Sequence, residues 1–229
     1  MVENAILQAF PDPGQLRHRS RMLALLDCIL GGRAHTDPVR MHRYLEHWRA
    51  EQSLASMDNG AGDEYSIVFS ADGVYVRGFD HHSELNTYGR TDSGELWPGL
   101  TDGLPDQFHS YVTDEAFRFD EEPTMTVCLW RLSTDSSWQT SQNIEYDDED
   151  LNGNGSDWLF DPLIDWSLAS RVDHYRSYFD MPTDPDHAAL QAIMGGAPIN
   201  ADLVHRLNPD IDLAIVAEEA AIAGLTIAF

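Results

Sequence analysis

The chain has 229 residues and a formal net charge of −25, with 39 acidic residues against 14 basic ones. This length suits one large domain that can bury its own hydrophobic core. A surface of this charge repels nucleic acid and anionic membranes, and no run of about 18 apolar residues is present to span a bilayer.

The charge is unevenly distributed along the chain. All 14 basic residues are arginine, and seven of them lie in residues 1–49 beside five acids, a formal +2 (7 − 5). The rest of the chain holds seven arginines and 34 acids, a formal −27 (7 − 34). Such a surface attracts a basic protein partner. A compositional origin is equally open, because a GC-rich genome disfavours lysine and a salt-tolerant host favours aspartate.

The first 52 residues are predicted to be helical. Helices are expected over residues 2–10 and 15–30, the second of which carries an apolar stripe. Thr36-Asp37-Pro38 is typical of a helix start, with a capping side chain followed by a proline. Apolar residues then recur at i, i+3, i+4 and i+7, namely Met41, Tyr44, Leu45 and Trp48. This spacing predicts an amphipathic helix.

Residues 60–145 are predicted to form a sheet. Tyr65, Ile67 and Phe69 alternate with smaller residues, which indicates a strand with one buried face. A turn at residues 70–73 ends in glycine, and residues 74–79 form the return strand with bulk on both faces. The approach at residues 55–64 is glycine-rich and is predicted to be a loop.

Two further strands complete the predicted sheet. Thr124–Leu132 alternates apolar and other residues, and Trp138–Ile144 returns beside it. Residues 160–225 are predicted to be helical, with Asn200 as one cap. We therefore predict a single α+β domain over residues 1–229, in which N-terminal and C-terminal helices cover an antiparallel sheet of four or more strands.

Location and redox state follow from the N-terminus and the cysteines. The first residues lack the basic start and apolar centre of a secretory signal, so we expect a cytoplasmic protein. Cys28 lies in a predicted helix and Cys128 in a predicted strand. Both are expected to be buried and free, as is usual in a reducing compartment. The sequence gives no indication of the oligomeric state.

Three short stretches resemble bacterial proteins of uncharacterised families. They are the approach Ala55–Tyr65, Gly78-Phe79-Asp80-His81 and Cys128-Leu129-Trp130-Arg131. The resemblance implies no activity.

The polar ends of the predicted hairpin are one candidate site. The residues concerned are Asp58, Asp63, Glu64, Asp80, His81, His82 and Glu84. Adjacent histidines on an extended backbone point in opposite directions, so Asp80 is paired with His82 as a possible metal site. The alternative interpretation, which we prefer at this stage, is a sheet core with a hydrogen-bonded turn and a flexible approach loop.

A second candidate is a calcium loop that begins at Asp150. Asp150, Asn152 and Asn154 occupy positions 1, 3 and 5, glycine follows at position 6, and Asp161 stands at position 12. This resembles the EF-hand or dockerin loop, which surrounds a hard cation with oxygen atoms. No convincing helix precedes the loop, and Asp157 replaces the usual apolar residue. A simple turn is the alternative, and no other cofactor is indicated.

Signatures of nucleophilic catalysis and nucleotide binding are absent from the sequence. The composition favours a non-catalytic acidic binding protein, such as a bacterial immunity or inhibitor protein that neutralises a basic toxin. Its candidate contact residues are Asp120, Glu121, Glu122, Asp147, Asp148, Glu149 and Asp150. Two alternatives stay open: a metal-dependent enzyme using Asp80, His82 and nearby carboxylates, and an acidic housekeeping domain without a specific partner.

Overall fold

The computed structural model describes residues 4–31, 40–88, 95–119, 122–144 and 153–229. The described helices are α1 (Asn4–Ala9), α2 (Pro13–Gly31), α3 (His109–Val112), α4 (Asp161–Ile164), α5 (Leu168–Tyr178), α6 (His187–Met194), α7 (Ala201–Leu207) and α8 (Leu213–Ile222). Two 3₁₀ turns lie at Asp106–Phe108 and Glu115–Phe117.

The described strands are β1 (His42–Arg49), β2 (Gln52–Asp58), β3 (Glu64–Phe69), β4 (Gly73–Phe79), β5 (Arg118–Phe119), β6 (Glu122–Pro123), β7 (Val127–Leu132), β8 (Gln139–Thr140), β9 (Ile199–Asn200) and β10 (Ile227–Ala228). The elements group into two compact units. The first contains residues 4–10 and the described part of 61–161, and the second contains the described parts of 11–60 and 162–229.

The first unit is built on an antiparallel sheet in the order β3-β4-β7-β8. Every residue of β4 is buried, which confirms that it is a central strand covered on both faces. The turn before β4 depends on Gly73, whose φ is +144° and whose Cβ, if added, would lie 2.3 Å from the carbonyl oxygen of Arg131. Only glycine fits that close approach.

Aromatic side chains fill the core of the first unit. The ring of Tyr75 lies 5.5 Å from Tyr111, and Phe10 packs edge-on against Trp138 at 4.9 Å. One charged side chain, Arg77, is buried in β4, where it donates to Glu64 Oε1 at 2.7 Å and to the carbonyl oxygen of Thr124. These acceptors replace the water that the guanidinium loses on burial.

The second unit combines helices with the antiparallel hairpin β1–β2. One face of α2 joins residues of α5, α6, α7 and α8 in a single apolar core. Buried members of this core include Leu26, Tyr175, Ile193, Val204 and Val216. The short strands β9 and β10 pair in parallel.

Strand β1 corrects a prediction. Residues 42–49 were expected to be helical, yet they form a strand in which His42 and Tyr44 are buried and Leu45 is 40% exposed. A spacing of four residues brings Tyr44 and Trp48 to one face in either structure, because four is even and is also about one helical turn. Hydrogen bonding to β2 stabilises the extended form of residues 42–49. Residues 55–58, which were predicted to be part of a loop, are the second half of β2. The predicted helix start at Thr36 lies outside the described residues.

Other predictions agree with the structure. The class is α+β, with an antiparallel sheet of at least four strands and helices from both ends of the chain. Asn200 caps α7 through its side chain, and both cysteines are free and buried. Each described helix is too short or too polar to cross a bilayer. The single-domain organisation stays a prediction.

Candidate functional site

Two aspartates lie at the same end of the β3–β4 hairpin in the first unit. The antiparallel register pairs Glu64 with Phe79, so Asp63 and Asp80 occupy the next opposed positions. Both are buried, with 5% and 8% of their surface exposed. The hairpin thus holds two carboxylates close together where little water reaches them.

His81 follows directly after Asp80 and is held by Asp63. The Oδ1 atom of Asp63 accepts hydrogen bonds from the backbone N–H of His81 at 3.0 Å and from ring Nδ1 at 2.7 Å. The ring also packs against Gly62, whose φ of +103° suits glycine. A donating Nδ1 leaves Nε2 as the nitrogen with a free lone pair in the neutral ring.

These three side chains form a potential metal site. One oxygen from Asp63, one from Asp80 and one ring nitrogen from His81 lie within 4.8 Å of one another. Over the part of the chain that the structure describes, this is the one group of three or more His, Cys, Asp and Glu side chains with that geometry. Carboxylate oxygen and imidazole nitrogen are common ligands of divalent transition metals.

Hydrogen bonds fix the orientation of the Asp80 carboxylate. Its Oδ1 accepts from the backbone N–H of His82 at 2.9 Å, and its Oδ2 accepts from Trp158 Nε1 at 3.1 Å. The backbone N–H of Asp80 donates to Thr126 Oγ1 at 3.0 Å. The same hydroxyl donates to the carbonyl oxygen of Asn154 at 2.8 Å, which ties the segment after residue 153 to the hairpin.

The structure therefore brings together two stretches that the sequence analysis treated separately. Gly155, from the predicted calcium loop, lies against Asp80, and a Cβ on it would come within 2.6 Å of the Asp80 Cβ. Its φ of +86° is a second reason for glycine. No local signal joins Asp80 to Trp158, which is 78 residues away.

The structure groups Asp80 with His81, whereas the sequence pattern paired it with His82, and metal binding by Asp80 and His82 stays a prediction. His82 is exposed, and its ring centroid lies 3.7 Å from that of His81. Adjacent rings diverge on an extended backbone, whereas here Ser83 N–H donates to the carbonyl of Asp80 and closes a turn. Asp80 is grouped with Asp63 and His81 instead.

The remaining polar residues of the hairpin have other surroundings. Glu64 pairs with Arg77, and Glu84 is exposed. Asp58 belongs to the second unit, where its Oδ1 accepts from the backbone N–H of Gly60. These three carboxylates are not part of the metal-site geometry described above.

The calcium loop is only partly described. Asn154 is buried, and its Oδ1 accepts from the backbone N–H of Ser156 at 3.1 Å. Asp161 is exposed at the start of α4. Asp150 and Asn152 lie outside the described residues, so calcium binding here stays a prediction.

Most of the predicted acidic contact surface is also outside the described residues. Asp120, Glu121, Asp147, Asp148, Glu149 and Asp150 fall in the undescribed segments. Glu122 is partly buried in β6, where its neighbour in the chain, Pro123, pairs with Arg118 of β5.

Neither cysteine has the properties of a nucleophile. Burial raises the pKa of Cys28 to about 11 and the pKa of Cys128 to about 12. At neutral pH almost all of each thiol stays protonated, and the thiolate is the reactive form.

Comparison of the chain with protein-family models, with curated proteins and with solved structures found no match. The resemblance to uncharacterised bacterial families stays a prediction.

Proposed function

We propose that the first unit binds a divalent cation through Asp63, Asp80 and His81. The observation that supports this most is the convergence of two buried carboxylates and an imidazole within 4.8 Å. Two carboxylates so close together, and shielded from water, repel each other unless a positive charge compensates them. A bound cation supplies that charge.

The ligand types favour a transition metal over calcium or magnesium. Calcium and magnesium prefer oxygen ligands alone, whereas imidazole suits zinc, iron, nickel and similar ions. Ligands of a tetrahedral zinc ion lie about 3.4 Å apart, so ligand atoms that lie within 4.8 Å of one another are compatible with a single ion.

The number of ligands supports a reactive site over a structural one. Structural zinc sites use four protein ligands, while catalytic sites use three and keep one position for water or substrate. Among the residues that the structure describes, Asp63, Asp80 and His81 supply three. This geometry favours the metal-dependent enzyme hypothesis. In this proposal the ligands are Asp63, Asp80 and His81, and His82 is not one of them.

Isothermal titration calorimetry on metal-stripped protein tests the proposal. We expect saturable binding of Zn²⁺ or Mn²⁺, and we expect Asp63→Asn and His81→Gln each to weaken it by at least about tenfold. Asp106→Asn is the matched control, because it removes an exposed carboxylate of the same unit. A calcium site in residues 150–161 would survive in the Asp63 and His81 variants, which separates the two sites.

Absence of binding by every transition metal tested, or equal binding by the wild type and both ligand variants, would contradict the proposal.

A second proposal, an acidic protein that binds a basic toxin such as a nuclease, is favoured by the charge distribution. Beyond residue 49 there are 34 acids and only seven arginines. Replacing Asp147, Asp148, Glu149 and Asp150 by their amides should weaken binding to a basic nuclease, and binding should fall as salt rises. The matched control neutralises four exposed acids in the second unit, Asp173, Asp202, Asp210 and Asp212. If both sets of substitutions weaken binding equally, the net charge of the protein causes the attraction, and residues 147–150 do not form a specific contact surface.

A further inference from the structure

Trp158 is an unusual residue beside the proposed metal site. Its side chain is large and apolar, yet the residue is 39% exposed. Its indole Nε1 donates to Asp80 Oδ2 at 3.1 Å, so the polar edge of the ring is directed at a candidate metal ligand. Trp158 is thus partly exposed and is also hydrogen-bonded to a candidate ligand.

The hydrogen bond leaves Asp80 able to bind a metal. A carboxylate offers about four lone-pair positions, and the two donors to Asp80, His82 N–H and Trp158 Nε1–H, use one on each oxygen. Carboxylates that ligate metals are commonly held by hydrogen bonds of this kind, which fix their orientation before the ion arrives. Trp158 and the His82 backbone therefore lock the carboxylate without blocking it.

The segment that carries Trp158 is itself fixed to the hairpin. Gly155 touches Asp80, and Thr126 Oγ1 donates to the carbonyl oxygen of Asn154 while accepting from the N–H of Asp80. The backbone N–H of Trp158 donates to the carbonyl of Gly155 at 3.2 Å. Because the indole Nε1–H is bonded to Asp80 Oδ2, a shift in the position or charge of this carboxylate changes the surroundings of the indole directly.

We propose that Trp158 is a positioning residue of the metal site and that its indole responds when the site is occupied. This inference rests on the proposed function, since it assigns a role around the cation that Asp63, Asp80 and His81 would bind. It concerns the cation alone and assigns no substrate or product.

The variant Trp158→Phe tests it, because phenylalanine keeps an aromatic ring and removes the N–H donor together with the five-membered ring. In calorimetric titrations with ZnCl₂ and MnCl₂, we expect this variant to bind about tenfold more weakly than the wild type. Trp166→Phe is the matched control in the second unit and should leave the affinity unchanged. Tryptophan emission should change on Zn²⁺ addition in the wild type and in Trp166→Phe, but not in Trp158→Phe.

The outcomes separate this inference from the proposed function. No metal binding by the wild type would overturn both. Equal affinity in the wild type and Trp158→Phe would overturn the positioning role and leave the metal site in place. If Trp158→Phe fails to fold, the wild-type indole N–H resonances in ¹H–¹⁵N spectra decide. One of them should shift on Zn²⁺ addition in the wild type and in Asp106→Asn, and the same shift should need at least about tenfold more Zn²⁺ in Asp63→Asn. No shift at saturating Zn²⁺ would overturn the inference.

Discussion

His174 lies on α5 in the second unit, among ionisable neighbours. Its ring is 6.3 Å from that of His42, whose Nδ1 is 3.0 Å from Asp27 Oδ2. The pKa of His174 is lowered to about 4, chiefly by burial and also by Arg171 and His42, with Asp27 acting in the opposite direction. Arg171 is 2% exposed, and its Nε and Nη1 groups have no hydrogen-bond partner. A second positive charge at this place is therefore costly.

This predicts a loss of stability in mild acid. The unfolded chain takes up a proton on His174 near the ordinary value of 6.5, while the folded protein excludes it until the pH reaches about 4. The free energy of unfolding therefore falls as the pH drops through this window, by about 2 kcal/mol between pH 7 and pH 5 for this group. His174→Phe keeps a ring against Tyr178 and removes the titration, so it should lose less stability over the same range.

Urea unfolding at the two pH values measures this difference. The exposed His205, replaced by Gln, is the control and should behave as the wild type does. An equal loss in the wild type and in His174→Phe would show that His174 does not control the acid response.

At the scale of elements, the segment from Gly153 to Trp158 packs closely against Asp80 at Gly155. Gly155 has a φ of +86°, and a Cβ there would lie 2.6 Å from the Asp80 Cβ and 3.0 Å from Asp80 Oδ2. Gly153 has nothing within 4 Å of its added Cβ. A side chain thus has no room at Gly155 but open space at Gly153.

Gly155→Ala should lower the free energy of unfolding by about 1–3 kcal/mol, because it combines backbone strain with a displaced Asp80. It should also weaken Zn²⁺ binding, since the carboxylate moves. Gly153→Ala should change stability by less than about 0.5 kcal/mol. Urea denaturation and calorimetry on both variants test this, and equal effects would mean that the segment adapts without moving Asp80.

At the scale of the whole molecule, the net charge of −25 is the dominant electrostatic property. Like charges at this density repel one another in the folded state, and salt screens that repulsion over a Debye length of about 30 Å at 0.01 M and about 3 Å at 1 M. Arginine contacts offset part of the repulsion, as in the 2.6 Å pair between Arg40 and Glu219.

The midpoint of thermal unfolding should therefore rise as salt increases from about 0.01 M to about 1 M. Scanning calorimetry measures it, and choline chloride at equal ionic strength is the control, because screening does not depend on the identity of the cation. An increase with sodium chloride only would indicate specific sodium binding, and no increase with either salt would contradict the charge argument.

Local patterns in the sequence predicted the elements whose apolar spacing fits either a helix or a strand but not both. The hairpin β3–β4 has a two-residue period and a glycine turn, and β7 and β8 were expected in the same antiparallel order. The cap at Asn200 acts within its own helix. Such features depend on neighbours in the chain, so the sequence contains the information needed to predict them.

The strand β1 and the convergence of Asp63, Asp80 and His81 were decided only by tertiary structure. Tyr44 and Trp48 fit a helix and a strand equally well, and pairing with β2 chose between them. Asp63, Asp80 and His81 each appeared among the polar ends of the hairpin, but only the turn after β4 brings these three side chains together. Trp158 reaches Asp80 across 78 residues. Contacts between distant residues depend on how the elements pack, and no local periodicity encodes that packing.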